Sequence, residues 1–252
     1  MRICQNLKNF FFDDPDKLDY SEIENAFGKT GIYGICEGIV GNTFFEFLTM
    51  YREGGAVQVI LDLNDYPDYF KPIQRMYIEH LSGIAEGIIN NTSVDAIFLN
   101  CGTSSLDTIS PDLFRKWDLP LLEEISKIAR KYAKIFHYHL HGKGRALLDD
   151  IVKAGVNIIC PLETIPRGDF YLAEVKNLFG DRIALKGNID PFFPLKDGTF
   201  EDIEKNVIEC IQSAGTNGGF ILASADGVLK DTPFENIFAM VNAGKKYGRI
   251  YG

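Results

Sequence analysis

Six short apolar runs, each followed by a stretch of helical pattern, constrain the fold of this chain more than any other feature. The runs are Ile32–Ile39, Ala96–Cys101, Ile135–His141, Asn157–Leu162, Ile183–Gly187 and Phe220–Ala223. Most end at Gly, Asn, Asp or Pro, as strands buried on both faces of a parallel sheet do. The helical patterns between them cover Ile73–Asn90, Pro111–Tyr132, Gly144–Ala154, Phe170–Phe179, Phe200–Ala214 and Pro233–Tyr247. Ser110 before Pro111 reads as an N-cap with proline in the first helical position. Thr232, Pro233 and Glu235 read as a capping box. Alternation with short connections implies right-handed βαβ units and a parallel sheet.

The expectation is therefore an α/β fold, a parallel (β/α) barrel in preference to an open doubly wound sheet. The length of 252 residues suits one such barrel. Six strands leave it two short of eight, so the N-terminal part of the barrel is not accounted for. A further strand could lie within Met1–Thr30 or at Val57–Leu63, the latter equally readable as a short helix. We divide the chain into an N-terminal segment, residues 1–30, and a barrel domain, residues 31–252. Gly28-Lys29-Thr30 resembles the end of a phosphate loop, but no glycine stands five residues before Lys29, and a turn is expected there.

A net charge of −9 argues against a nucleic-acid partner. The five cysteines, Cys4, Cys36, Cys101, Cys160 and Cys210, are odd in number and widely spaced, so core packing is expected rather than a disulfide framework. There is no apolar signal segment and no run of about 18 apolar residues. A cytoplasmic protein without a membrane span is expected.

The chemistry concentrates in Phe136-His137-Tyr138-His139-Leu140-His141-Gly142. Alternation along a strand sets His137, His139 and His141 on one face. In a barrel that face looks inward, and His139 and His141 lie nearest the C-terminal rim, where barrel enzymes keep their sites. Two imidazoles so spaced can share a metal ion, with carboxylate or thiolate completing the set. The alternative is a group of hydrogen-bonded interior histidines, and His137, the deepest, fits that description best. Other strand ends carry Asn100, Glu163, Asn188, Asp190 and Asp226. Each alone could be a cap or turn residue. Their recurrence at successive strand ends favours a site.

Several ordered motifs resemble the uroporphyrinogen decarboxylase superfamily, and especially its cobalamin-dependent methyltransferase branch, from about Gly31 to the C-terminus. They are Ile109-Ser110-Pro111-Asp112-Leu113-Phe114, His139-Leu140-His141-Gly142, Gly187-Asn188-Ile189-Asp190-Pro191, and Asp226-Gly227-Val228 with Thr232-Pro233-Phe234-Glu235-Asn236-Ile237. The resemblance implies a β/α barrel with its site at the C-terminal rim. It also implies zinc held by an H-x-C pair and a later Cys, and methyl transfer with a corrinoid protein. Mapped here, the ligands become His139, His141 in place of the first Cys, and Asp226 in place of the second. The harder His-His-Asp set makes a stronger Lewis acid, better suited to oxygen or water than to a thiol. Glu163 is the expected fourth ligand or proton-transfer group, with Asp190 a second catalytic carboxylate. Asn100, Asn188 and Asp190 are expected to position a small methyl donor or acceptor.

Two other readings stand beside this one. The first is a decarboxylase of a porphyrinogen-like tetrapyrrole. Against it, the Arg-rich N-terminal segment of true uroporphyrinogen decarboxylases is absent, since only Arg2 precedes Arg52. The second is a non-catalytic barrel subunit. Open strand edges invite association, so a homodimer, or a complex completing the barrel, is expected. Met1–Asp13, with Phe10-Phe11-Phe12, is either that contact or a strand closing the chain's own sheet.

Overall fold

The computed structural model describes Phe12 and residues 14–248. These residues fall into two compact units, one of the described residues up to 138 with 149–156, the other of residues 139–148 and 157–248. Within each unit the paired strands are parallel and follow one another in chain order.

The first unit begins with helix α1 (Ser21–Thr30). Gly28-Lys29-Thr30 forms its last turn rather than a free turn. The helix stops because Gly31 takes φ +50 and its amide returns to the Phe27 carbonyl. A short 3-10 turn follows at Gly31–Tyr33, so strand β1 covers Glu37–Asn42 and not Ile32–Ile39. The apolar residues Tyr33 and Ile35 are left exposed. Helices α2 (Phe44–Tyr51), α3 (Gly55–Asp65) and α4 (Pro67–Asn91) follow, and Val57–Leu63 is therefore helical. Along α4, Ile73, Tyr77, Leu81 and Ile88 form a buried stripe at helical spacing. It approaches β1 so closely that a Cβ on Gly38 would lie 2.5 Å from Ile88 Cγ2. Strand β2 (Ala96–Cys101) pairs with β1, Glu37 opposite Ala96 and Asn42 opposite Asn100.

The helix expected over Pro111–Tyr132 is two helices, α5 (Pro111–Trp117) and α6 (Leu119–Lys131). Pro120 has no amide to donate to the Lys116 carbonyl, so the helical ladder breaks before it and the proline stands in the first turn of α6. Asp118, at the break, instead accepts a hydrogen bond from the Phe45 amide at 2.8 Å. Ser110 caps α5 through the Leu113 amide at 3.2 Å. The core here is aromatic, with Phe44, Phe45, Phe114 and Trp117 all buried. Strand β3 (Ile135–Leu140) starts in this unit, and helix α7 (Leu148–Ala154) returns to it.

In the second unit β4 (Ile158–Pro161) pairs with β5 (Ala184–Ile189), and β5 with β6 (Phe220–Ser224). Helices α8 (Leu172–Phe179), α9 (Phe200–Ala214) and α10 (Phe234–Tyr247) alternate with them. The capping box belongs to α9, where Thr199 and Asp202 each accept from the other's amide. The box expected at Thr232 does not form. Helix α10 begins at Phe234 with Pro233 as its N-cap, one residue too late for Thr232, whose buried hydroxyl has no hydrogen-bond partner.

The architecture is the α/β class of parallel β/α barrels, with six strands among the described residues. No helix among them is long and apolar enough to cross a membrane. Met1–Asp13, apart from Phe12, lies outside the described residues. The Phe12 ring stacks on His80 at 4.7 Å.

Candidate functional site

The end of β3 and the turn after it deliver two imidazoles into the second unit. His139 Nε2 and His141 Nε2 face one another at 2.7 Å, with the rings nearly perpendicular at 84°. The opposite nitrogens have their own neighbours. His139 Nδ1 lies 3.0 Å from Cys160 Sγ, and His141 Nδ1 lies 3.3 Å from Glu163 Oε2. Asp226 Oδ1, just past β6, stands 3.6 Å from His141 Nε2. His137 belongs to the first unit and is fully buried. Its Nδ1 is 2.6 Å from Glu37 Oε1, and its ring meets Phe98 edge-on at 4.9 Å.

Glu163 follows β4 in a tight loop. Gly168 N donates to Thr164 O, and Phe170 N to Glu163 O. The loop closes so tightly that a Cβ on Gly168 would lie 2.1 Å from the Glu163 carbonyl oxygen, so only glycine fits. Glu163 is 5% exposed, and its Oε2 also accepts from Gly142 N at 2.6 Å. Burial pushes its pKa up. The His141 hydrogen bond, the Gly142 amide and the charges of His141 and Arg167 outweigh that, and the carboxyl sits below its ordinary range.

Arg167, on the same loop, has Nε 3.6 Å from Glu163 Oε1 and donates from Nη2 to Asp190. Asp190, following β5, also accepts from the amides of Phe192 and Phe193 at 2.8 and 3.2 Å. The guanidinium lies 4.9 Å over the Phe192 ring. Asn188 is buried, donating to Leu162 O at 3.0 Å and accepting from the Cys210 thiol at 3.4 Å, so its amide pins the ends of two strands.

Asn100 belongs to the first unit. Its Nδ2 donates to Asn42 Oδ1 at 2.9 Å, and Glu46 nearby accepts from Gly102 N at 2.6 Å. Deeper in that unit lies a fully buried acid, Asp118. Burial pushes its pKa up to about 7, against the Phe45 amide and the Ser104 hydroxyl.

The second unit thus brings His139, His141, Asp226 and Glu163 together, with Asp190 joined to Glu163 through Arg167. The sequence did not single out Cys160 or Arg167. Cys160 reads as one more residue of an apolar strand, and nothing in an irregular loop marks Arg167 as facing two carboxylates.

The donor chemistry of His139, His141 and Asp226 suits zinc. Bonds of about 2.0–2.1 Å in a tetrahedron set neighbouring donors roughly 3.3 Å apart. The histidine pair at 2.7 Å is closer than that, and Asp226 at 3.6 Å is slightly farther. Among the described residues no three His, Cys, Asp or Glu side chains stand in full ligating geometry. The residues therefore fit zinc in kind, with a separation of the two rings by about half an ångström required.

Known proteins share much of this chain. Over 154 residues it is 32% identical to the methylcobamide:CoM methyltransferase MtaA of Methanosarcina barkeri, covering 61% of this chain and 42% of that protein. Over 143 residues it is 32% identical to the uroporphyrinogen decarboxylase of Trichodesmium erythraeum, covering 56% and 38%. The chain thus matches less than half the length of these relatives. A solved methyltransferase from Methanosarcina mazei shares the fold, with a TM-score of 0.73 at 21% identity, over 90% of this chain and 63% of that one. The family pattern described as Uroporphyrinogen decarboxylase (URO-D) matches residues 38–247. The chain belongs to the uroporphyrinogen decarboxylase (URO-D) family.

Proposed function

We propose that this chain is a zinc-dependent methyltransferase that works with a corrinoid protein on a small methyl donor or acceptor. The observation that carries the reading is the approach of His139 Nε2 and His141 Nε2 to 2.7 Å beside the Asp226 carboxylate. If His141 Nδ1–H donates to Glu163, its Nε2 presents a lone pair. If His139 Nδ1–H likewise faces Cys160 Sγ, two lone pairs meet, and a cation between them relieves their repulsion. Bound there, zinc supplies a Lewis acid that favours the deprotonated form of a bound nucleophile.

The remaining roles belong to the chain. Glu163 stands on the Nδ1 side of His141, away from Asp226, so it fixes the ring's orientation and tautomer rather than serving as a fourth ligand. Asp190, which accepts from Arg167 Nη2 and two amides, is the second catalytic carboxylate of this proposal. Asn188 acts through the strand ends it pins, and Asn100 remains a proposed substrate contact. The likeness to MtaA supports the corrinoid partner, and the compartment we propose is the cytoplasm. A homodimer or a complex with another chain would complete the barrel.

A second reading, decarboxylation of a porphyrinogen-like substrate, draws on the equal likeness to a uroporphyrinogen decarboxylase. Metal content separates the two. Purified protein is expected to hold about one zinc per chain, lost when His139→Ala and His141→Ala are combined. A wild type that stays metal-free in excess zinc, by elemental analysis after gel filtration, would refute the proposal.

A further inference from the structure

Helix α10 turns its most apolar face to solvent. Phe234, Phe238, Val241 and Lys245 follow one another at intervals of four, three and four residues, which at about 100° per residue confines them to an arc of about 60°. The three apolar residues are 74%, 63% and 37% exposed. Asn236 and Ala243, the residues that α10 buries, stand on the opposite side. A third side is seated on β6 at Gly244, where a Cβ would lie 2.8 Å from Leu222 Cδ2. The helix is therefore held in its unit without the Phe234–Lys245 stripe. A four-three-four spacing is the one by which a helix meets a second helix in a heptad seam. Beside the stripe, a groove of about 490 Å3 separates α10 from α9, with Phe200 of α9, 55% exposed, on one wall and Ala239 and Ala243 of α10 on the other.

The charges along α10 say what fits there. Glu235 lies in the first turn, and Lys245 and Lys246 lie in the last. Lys246 is engaged by Glu204 of α9 at 3.0 Å, whereas Glu235 and Lys245 pair with no described residue. We propose that this face is the interface between two copies of the chain, with α10 packed antiparallel on the partner's α10 about a two-fold axis. Antiparallel pairing centred on the stripe sets Phe238 beside the partner's Val241 and Phe234 beside the stem of the partner's Lys245, and it brings Glu235 next to that lysine's charge. By symmetry each contact occurs twice. A parallel pair would set glutamate on glutamate and lysine on lysine, so the charges select the antiparallel one. A purely basic peptide would answer Glu235 and leave Lys245 opposed, whereas a second copy answers both. The three phenylalanine rings leave roughly 400 Å2 of aromatic surface in solvent per copy, about half of what each partner of a standard interface buries. Val241 and the lysine stems extend that area to a weak dimer, with a Kd on the order of 10 μM. The inference names a surface for the self-association proposed above and does not depend on the metal.

The test is analytical ultracentrifugation of the full chain at low salt, from well below to well above that Kd. A monomer–dimer equilibrium is expected. Phe238→Glu changes an exposed residue, so it should fold as the wild type does by circular dichroism, and it should weaken dimerisation by more than about a hundredfold, since each dimer would bury two unpaired charges in the seam. Glu235→Lys and Lys245→Glu should each weaken it roughly tenfold, because two pairs per dimer turn from attraction to repulsion. Mixed together, these two variants should dimerise with each other as the wild type does, each supplying the charge that the other lacks. A wild type that stays monomeric throughout would overturn the inference and mean that the face is free or covered by the chain itself. A dimer indifferent to Phe238→Glu would overturn it by showing that the copies meet elsewhere. No recovery on mixing would overturn the antiparallel pairing. Zinc content should be the same in all three variants, so this inference and the metal reading stand or fall separately.

Discussion

Replacing Glu163 by Gln removes one charge from the candidate site and almost no volume. In the wild type, Oε2 accepts from Gly142 N at 2.6 Å and lies 3.3 Å from His141 Nδ1, while Oε1 lies 3.6 Å from Arg167 Nε. A glutamine has one acceptor where Glu163 has two. With its oxygen toward Gly142 and His141, its NH2 points at the Arg167 guanidinium. Flipped, its NH2 opposes the Gly142 amide. Either way donors face donors in a place where the residue is 5% exposed, so water screens little of the loss. Two charge-assisted interactions become neutral or repulsive at about 1–1.5 kcal/mol each, giving roughly 2–3 kcal/mol in all. For a chain of this size that lowers Tm by roughly 5–10 °C. In the flipped orientation the His141 ring also loses the acceptor that fixes its tautomer, and zinc affinity should fall by about 10–100-fold. Thermal melts of metal-free protein read the first effect, and competition with a chromophoric chelator reads the second. A Glu163→Gln protein that melts with the wild type and holds zinc as tightly would refute the reasoning.

Two further outcomes are expected. Asp226→Asn should weaken zinc strongly, with a loss of at most about 1 kcal/mol in folding from the turn its carboxylate caps at Gly227 N, while Asp226→Cys should keep or tighten zinc; wild-type affinity in both variants, measured by chelator competition, would exclude Asp226 as a ligand. The second concerns pH. Asp118 titrates at about 7 in the fold against 3.8 ordinarily, so between about pH 4 and 7 the folded chain holds a proton that the unfolded chain has lost. Stability should therefore fall as pH rises through that window and level off above it, by up to about 4 kcal/mol. Urea denaturation of Asp118→Asn should lack this slope, and an unchanged slope would show that another group sets it.

The strand–helix alternation was legible because apolar runs and punctuation are local. Ala96–Cys101 and Phe200–Ala214 fall where the pattern puts them. Failures came where a backbone detail overrode the pattern. Gly31 extends the exit from α1 and delays β1, and Pro120 splits one helical pattern into two. A hydroxyl one residue out of register left Thr232 without its capping box. In the site, the strand-end residues His139, His141, Glu163 and Asp226 could be singled out because strand geometry fixes their direction. Cys160 and Arg167 could not, since their roles rest on side-chain contacts across 21 and 23 residues of sequence.

The missing side chain at Gly168 has a consequence for how such a site can diversify. The loop it closes carries both the carboxylate that orients His141 and the guanidinium beside it, and a single methyl group would collide with the Glu163 carbonyl oxygen. One backbone bracket therefore sets two functions at once, and a substitution that loosens it disturbs both together. Variation that spares this bracket has to enter from elsewhere, most readily through Phe192, which lies under the guanidinium from a different strand end and is half exposed. Directed diversification of this protein would then be most productive when positions 163–170 are held constant and residues 192 and 193 are varied.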